Sequence, residues 1–124
     1  MSGRVYDLDE RLIDFAVQII TISDNIKPTK AGNHLSGQLV RSGTSPSLNY
    51  GEAQAGESKK DFAHKLKIIL KELRESKNNM RIIYRADLFN SHSELLAKAI
   101  QECSELIAIF AKSIKTVQIN QLSR

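Results

Sequence analysis

The sequence predicts an all-α protein, a single antiparallel up-down-up-down four-helix bundle over residues 1–124. Three observations predict it. Apolar residues recur at alternating steps of three and four in four successive segments. No segment shows the strict alternation of a half-buried strand. The chain also has no Trp and only two Pro, which suits helices joined by short connections.

Composition limits the classes of protein that the chain can belong to. A length of 124 residues fits one domain, and 41% hydrophobic with 26% charged residues is typical of a folded globular protein. The sequence contains no run of 18 apolar residues, so it predicts no membrane span. Asp7, Asp9, Glu10 and Asp14 argue against a signal peptide. A single cysteine, Cys103, allows no internal disulfide. We therefore expect a cytoplasmic protein that does not engage a membrane.

The first helix is predicted over about residues 9–26. Its acidic start suits the positive end of the helix dipole. Its apolar stripe is Val5, Leu8, Leu12, Phe15, Ile19, Ile22 and Ile26. Lys27-Pro28-Thr29 should end it, because proline disfavours helical geometry in the preceding residue. Thr29 can then cap the second helix.

The second helix, about residues 30–55, carries unusual inward positions. They are Leu35, Leu39, Ser42, Pro46, Asn49 and Ala53, of which only the first two are large and apolar. Gly43 and Pro46 should weaken the helix, since an internal proline costs about 3 kcal/mol. One interpretation is two short helices around a turn at residues 43–46. The other is one kinked helix whose small residues allow close approach of a neighbour.

The third and fourth helices are predicted over about residues 59–86 and 92–118. Ser58 followed by Asp61 resembles a capping box at the start of the third. Its apolar stripe is Phe62, Leu66, Ile69, Leu73, Ser76, Met80 and Ile83, and that of the fourth is Leu96, Ile100, Cys103, Ile107, Phe110, Ile114 and Val117. Ile68, Leu70, Ile82 and Tyr84 lie off these stripes. They either complete the flanks of one core or promote self-association.

A second stripe runs along the opposite face of the third helix, and we call it the basic stripe. It consists of Lys60, His64, Lys67, Lys71, Arg74, Asn78, Arg81 and Arg85. It contains no acid, and residues 59–85 carry nine basic against three acidic residues. Bundle helices usually mix both signs on this face, so the stripe indicates a polyanionic partner. The alternative is a solvated basic face without a function.

Little in the sequence indicates an enzyme. The three histidines, His34, His64 and His92, lack metal-ligand spacing, and no Glu-x-x-His pair is present. There is no glycine-rich phosphate loop. Cys103 lies on an apolar stripe, where a packing role is expected. Glu52, Glu57 and Asp61 are explained by helix-start electrostatics. We expect no catalytic residues, no metal and no cofactor.

The second helix and its surroundings carry a resemblance. Residues 38–53 read QLVRSGTSPSLNYGEA, similar to the pattern QLxRSxxSxxxNxxEG. SKKDFAHKL at 58–66, LKE at 70–72, Glu75 and SELIAIF at 104–110 extend the similarity over nearly the whole chain. Together they resemble the bacterial four-helix bundle proteins encoded within intervening sequences of large-subunit ribosomal RNA genes. Two departures are Ala53 in place of the usual glycine, and Asn78-Asn79-Met80 where an aromatic residue is common.

The resemblance implies more about fold than about activity. It implies an antiparallel bundle with a kinked second helix, assembled as a ring-like homopentamer. The related accessory proteins of diversity-generating retroelements assemble likewise, bind nucleic acid and partner with a reverse transcriptase, whereas the family's own role is undefined. Motif positions expected to serve structure are Arg41, Ser42, Ser45, Pro46, Asn49, Glu52 and Phe62. We expect Arg41 to pair with Glu52 or with a neighbouring subunit.

The leading hypothesis is therefore a non-enzymatic, oligomeric accessory protein that binds nucleic acid, RNA before DNA. The cations of the basic stripe would contact phosphates, and His64 would contribute when protonated. The alternative is a protein-interaction scaffold that docks an acidic protein or a reverse-transcriptase-like enzyme. The sequence does not indicate which nucleic acid, which base sequence or which exact stoichiometry.

Overall fold

A computed structural model describes residues 7–56 and 58–122, which form four α-helices. They are α1 (Leu8–Ser23), α2 (Lys30–Gln54), α3 (Lys59–Arg85) and α4 (Ser93–Leu122). These residues contain no β-strand, so the all-α prediction is confirmed for them. The predicted helix ends differ from these by at most four residues, with α1 ending earlier and α4 later than expected. Val5 and Glu57, which entered the expectations, lie outside the described residues.

Three of the helices begin at a side chain that caps them. The Asp7 carboxylate accepts a hydrogen bond from the backbone N–H of Glu10 at 3.2 Å. The Thr29 hydroxyl accepts one from Gly32 at 2.9 Å, and the Ser58 hydroxyl accepts one from Asp61 at 3.1 Å. Each cap satisfies a backbone N–H that has no partner within its own helix. The caps predicted at Thr29 and Ser58 are therefore present.

One apolar core lies among the four helices. α2 and α4 each pack closely against both α1 and α3. Within the described part of the chain, the backbones of the diagonal pairs α1–α3 and α2–α4 stay further apart, and Tyr50 of α2 reaches Phe110 of α4 edge-on through the core, with ring centroids 5.8 Å apart. The core comprises Leu12, Phe15, Ile19, Ile22, Leu39, Leu66, Ile69, Leu73, Met80, Ile83, Leu96, Ala99, Cys103, Leu106, Phe110 and Ile114. No helix in residues 7–56 and 58–122 is long and apolar enough to cross a membrane.

The helix α2 is continuous through Gly43 and Pro46, so the interpretation as two short helices is wrong. The physical reason is tertiary packing, because Ser42, Gly43 and Pro46 are all buried, with Ser42 against α3 and Gly43 against α1. A Cβ atom built on Gly43 would lie 2.6 Å from Cγ1 of Ile19 on α1. The absence of a side chain at Gly43 therefore sets how closely α1 and α2 approach, as the small-residue interpretation expected.

We predict that Gly43→Ala destabilises the protein although alanine is the better helix former. The added methyl group overlaps Ile19 and should cost about 1–3 kcal/mol in the free energy of unfolding. The control is Gly37→Ala in the same helix, where an added Cβ meets no atom within 4 Å. Gly37→Ala should stabilise by about 0.5–1 kcal/mol. Urea unfolding of both variants measures the difference, and equal gains would contradict the close approach of α1 and α2.

Candidate nucleic-acid interface

The helix α3 presents two chemically different faces. Its apolar stripe lies in the core, with Leu66, Ile69, Leu73, Met80 and Ile83 buried and Phe62 half-buried against them. All eight positions of the basic stripe are exposed, and they are Lys60, His64, Lys67, Lys71, Arg74, Asn78, Arg81 and Arg85. The structure thus places every predicted contact residue on the solvent side of one helix of 27 residues.

Four cations elsewhere in the bundle are paired with carboxylates. Arg11 on α1 contacts Glu102 at 2.8 Å and Glu105 at 3.0 Å on α4. Lys65 on α3 contacts Glu52 on α2 at 2.6 Å. Lys27 and Asp87 also pair, with Nζ and Oδ2 3.7 Å apart, as do Arg41 and two glutamates. Within residues 7–56 and 58–122, no ion pair includes a member of the basic stripe, and Arg81 contacts only the amide of Asn78 at 3.4 Å.

The expected pairing of Arg41 with Glu52 is wrong. The Arg41 guanidinium instead donates to both carboxylate oxygens of Glu72, at 2.7 and 3.2 Å, and to Glu75. The hydrogen bond to Glu75 is the largest cause of a raised pKa of Arg41, and the hydrogen bonds to Glu72 raise this pKa further. Glu52 faces Lys65 because it lies three helical turns further along α2 than Arg41. Two of the three acids of α3 are therefore turned toward α2, away from the basic stripe.

Comparison with known proteins identifies the family. A model of the 23S rRNA-intervening sequence protein family matches residues 6–112. The chain belongs to this family. It is also similar to a solved structure from Bacteroides thetaiotaomicron, a protein with unknown function from the S23 ribosomal protein family. The two chains are 27% identical with a TM-score of 0.77, over 87% of this chain and 98% of that one. No curated protein matches the chain.

The motif residues lie mainly between α2 and α3. The hydroxyls of Ser42 and Ser76 are buried and hydrogen-bonded at 2.7 Å. The Lys65 ammonium donates to the amide oxygen of Asn49 at 3.3 Å, and the Asn49 amide nitrogen donates to the Ser45 hydroxyl at 2.8 Å. Ser42 and Asn49 thus join α2 to α3, and Ser45 holds the Asn49 amide from within α2.

The departures from the family pattern are accommodated locally. Ala53 is 4% exposed and lies within α2, which continues one residue further to Gln54. Late in α3, Met80 enters the core and Asn79 is buried, with its amide nitrogen donating to the carbonyl of Leu35 at 3.1 Å. An amide–backbone contact between α3 and α2 thus replaces the aromatic residue common there.

Sequence reasoning missed the acids that hold the helices together. Arg41 pairs with Glu72 and Glu75 on α3, and Arg11 pairs with Glu102 and Glu105 on α4. The available signal was their spacing of three residues, which places both carboxylates of a pair on one flank of a helix. That spacing predicts which side of the helix carries the two carboxylates. It does not predict which helix packs against that side, or where along that helix an arginine lies.

Metal ligands and a reactive thiol were sought among the described residues. No cluster of three or more His, Cys, Asp or Glu side chains among them could hold a metal ion. Cys103 is buried, its thiol donates to the carbonyl of Leu73 at 3.1 Å, and burial raises its pKa to about 12. Burial, followed by the charges of Asp9 and Asp7, raises the pKa of Tyr50, which therefore stays protonated near neutral pH. The basic stripe remains the prominent chemical feature.

We predict that Ser42→Ala weakens the α2–α3 contact. The variant leaves the Ser76 hydroxyl without its partner in a buried position, at a cost of about 1–3 kcal/mol in the free energy of unfolding. The double variant Ser42→Ala with Ser76→Ala removes both hydroxyls and should recover part of that loss. Urea unfolding of the four members of this cycle measures the coupling. Strictly additive effects would contradict the buried hydrogen bond.

We also predict that Cys103 is unreactive in the folded protein. Because its folded-state pKa lies near 12, against 9.0 for an unperturbed thiol, the thiolate fraction at pH 8 is far lower than in the unfolded chain. A disulfide reagent should modify the native protein at least about 100-fold more slowly than the protein in urea. Comparable rates would contradict the buried position of Cys103.

Proposed function

We propose that this protein is a non-enzymatic, oligomeric accessory protein of the cytoplasm that binds nucleic acid, RNA before DNA, through its basic stripe. One observation carries the proposal. Arg11, Arg41 and Lys65 join helices through carboxylates, whereas the six Lys and Arg side chains of the stripe face solvent together along one helix and take part in no ion pair among the described residues. Positive charge that is not needed to hold the bundle together is available to phosphates.

The spacing of the stripe suits a phosphate backbone. Its members follow one another by three or four residues, which is about 5 Å along the axis, and the whole stripe extends over about 37 Å. No aromatic side chain lies among its members, so base stacking has no platform there. Contacts of this kind fix a protein on a polyanion without reading its sequence. The preference for RNA rests on the family to which the chain belongs.

The proposal includes a ring-like homopentamer of antiparallel bundles. The order of the α2–α3 contacts supports the antiparallel arrangement, since Leu35, Ser42 and Glu52 contact residues 79, 76 and 65 respectively. In a ring the stripe recurs in every subunit. Weak contacts on several subunits then act together, because the first contact raises the effective concentration of the next.

We predict that affinity for a stem-loop RNA falls steeply with salt. Six phosphate contacts per subunit correspond to about a 10³-fold loss between 50 and 200 mM salt. Lys67→Glu, Lys71→Glu and Arg74→Glu together should weaken binding by more than about tenfold at fixed salt and flatten the salt dependence. Fluorescence anisotropy with labelled stem-loop RNA, single-stranded RNA and duplex DNA measures both effects.

The matched control reverses three exposed cations outside the stripe. Lys30→Glu, Lys98→Glu and Lys115→Glu change the net charge by the same amount, and these side chains are also exposed. This control should bind RNA close to wild type. Equal losses of RNA affinity in the two triple variants would mean that net charge alone, and not the stripe, determines binding, and would contradict the proposal. Undiminished binding by the stripe variant would contradict the proposal, and binding of an acidic protein but no nucleic acid would favour the scaffold alternative.

A further inference from the structure

A second surface of the bundle has neither a partner nor a role in the proposed binding of nucleic acid. We define the α1 outer face as Glu10, Ile13, Asp14, Val17 and Ile20. Ile13, Val17 and Ile20 are 40%, 58% and 45% exposed, although they are large and apolar. Glu10 and Asp14 are exposed beside them and take part in no ion pair within the described residues. Three exposed apolar residues on one helix face are typical of a docking surface rather than of scattered surface variation.

The end of the basic stripe differs from its beginning. We define the α3 C-terminal face as Arg81, Ile82, Tyr84 and Arg85. Ile82 is 51% and Tyr84 is 60% exposed, and they flank the two arginines. Between Lys60 and Arg74, by contrast, the helix exposes no large apolar side chain. Tyr and Arg are the residue types enriched at protein interfaces, whereas the earlier part of the stripe is a simple cationic surface.

The two faces are complementary in charge and in spacing. Glu10 and Asp14 are four residues apart, as are Arg81 and Arg85, so each pair spans about 6 Å along its helix. Each pair also lies beside exposed apolar side chains. We propose that the α1 outer face of one copy of this chain docks on the α3 C-terminal face of a second copy. Arginine–carboxylate pairs would then rim an apolar contact.

Charge also determines which pairing is possible. Two α1 outer faces would bring carboxylates together, and two α3 C-terminal faces would bring arginines together, and both arrangements are repulsive. The contact is therefore head-to-tail. Because α1 and α3 are diagonal in the bundle, with no close backbone approach among the described residues, each subunit carries the two halves on different sides. Repetition of such a contact closes into a ring when the rotation permits.

This inference rests on the homo-oligomer of the proposed function and refines it. Arg81 and Arg85 are assigned to the subunit contact. Lys60, His64, Lys67, Lys71 and Arg74 remain for the polyanion. In the oligomer, four permanent cations rather than six would then contact phosphates in each subunit, and the expected loss of affinity between 50 and 200 mM salt becomes about 10²-fold. The stripe is thus divided between two roles at about Asn78.

The first test replaces the centre of the α1 outer face. Val17→Glu should reduce the mass in solution, measured by light scattering after size exclusion, from that of the oligomer to that of one chain. The control is Leu48→Glu on α2, which is 68% exposed in the wild type and lies outside both faces. Thermal unfolding followed by circular dichroism establishes that both variants are folded. Loss of assembly in Leu48→Glu as well would overturn the assignment of the surface.

The second test reverses the charges. Glu10→Lys with Asp14→Lys should dissociate the oligomer, as should Arg81→Glu with Arg85→Glu. The chain carrying all four substitutions should assemble again, because the α1 outer face is then cationic, the α3 C-terminal face is acidic, and the two faces attract each other as before. Dissociation of both double variants without recovery in the quadruple variant would overturn the pairing of these two faces.

The tests separate this inference from the proposed function. A wild-type protein that is a single chain at micromolar concentration would overturn both the inference and the homo-oligomer. An oligomer that survives Val17→Glu would overturn the inference alone. RNA binding is tested separately with the triple variant at Lys67, Lys71 and Arg74. That variant should lose affinity for RNA while its mass in solution stays that of the wild-type oligomer.

Discussion

The charge distribution around α3 depends on how α3 packs against α2. Of the two acids Glu72 and Glu75, Glu75 lies one turn from Lys71 on the same helix and could have neutralised it. Instead both accept hydrogen bonds from Arg41 of α2, and Glu72 is 7% exposed. A buried carboxylate requires such a partner, since its desolvation would otherwise be costly. The α2–α3 contact thus stabilises the bundle and at the same time leaves the opposite face of α3 cationic.

That contact is close because α2 presents small and polar groups where a bundle helix usually presents leucine. Ser42 contributes a hydroxyl to Ser76 within the core, and Gly43 admits Ile19 from α1. Directional hydrogen bonds specify one register between helices, whereas apolar contacts alone tolerate several. The family motif therefore reads as a packing motif. Its arginine binds the acids of α3 and its first serine is hydrogen-bonded to Ser76 of α3, while Gly43, next to that serine, allows the close approach of Ile19 from α1.

Much of this fold could be predicted because its signals are local. Thr29 and Ser58 mark helix starts by their own chemistry, and the alternating apolar steps give the buried face of each helix. The continuity of α2 could not be derived locally, because the cost of Pro46 is a property of an isolated helix while its compensation is tertiary burial. The same limit applies to Ile82 and Leu70. Both lie off the apolar stripe, yet Leu70 packs against the core and Ile82 is exposed.

The positions of the basic stripe were predicted from periodicity, and the structure exposes all of them. The ion pairs of Arg11, Arg41 and Lys65 could not be predicted, because a helical wheel gives the direction of a side chain but not the position of its partner along another helix. Arg41 illustrates this, since it reaches acids of α3 and not the glutamate of its own helix. The division of α3 into a cationic part and a part that also exposes apolar side chains likewise could not be predicted, because it depends on how much of each side chain faces solvent. It is visible only once Ile82 and Tyr84 are known to face solvent.

The most direct measurement of the central claim is chemical footprinting of lysines, in which acetylation of each lysine is quantified by mass spectrometry with and without saturating stem-loop RNA. Lys60, Lys67 and Lys71 should be protected, whereas Lys30, Lys98 and Lys115 should react at the same rate in both states, since all six side chains are exposed in the free protein. Protection confined to the second group, or equal in both groups, would contradict the account, because the polyanion would then not lie along the outer face of α3.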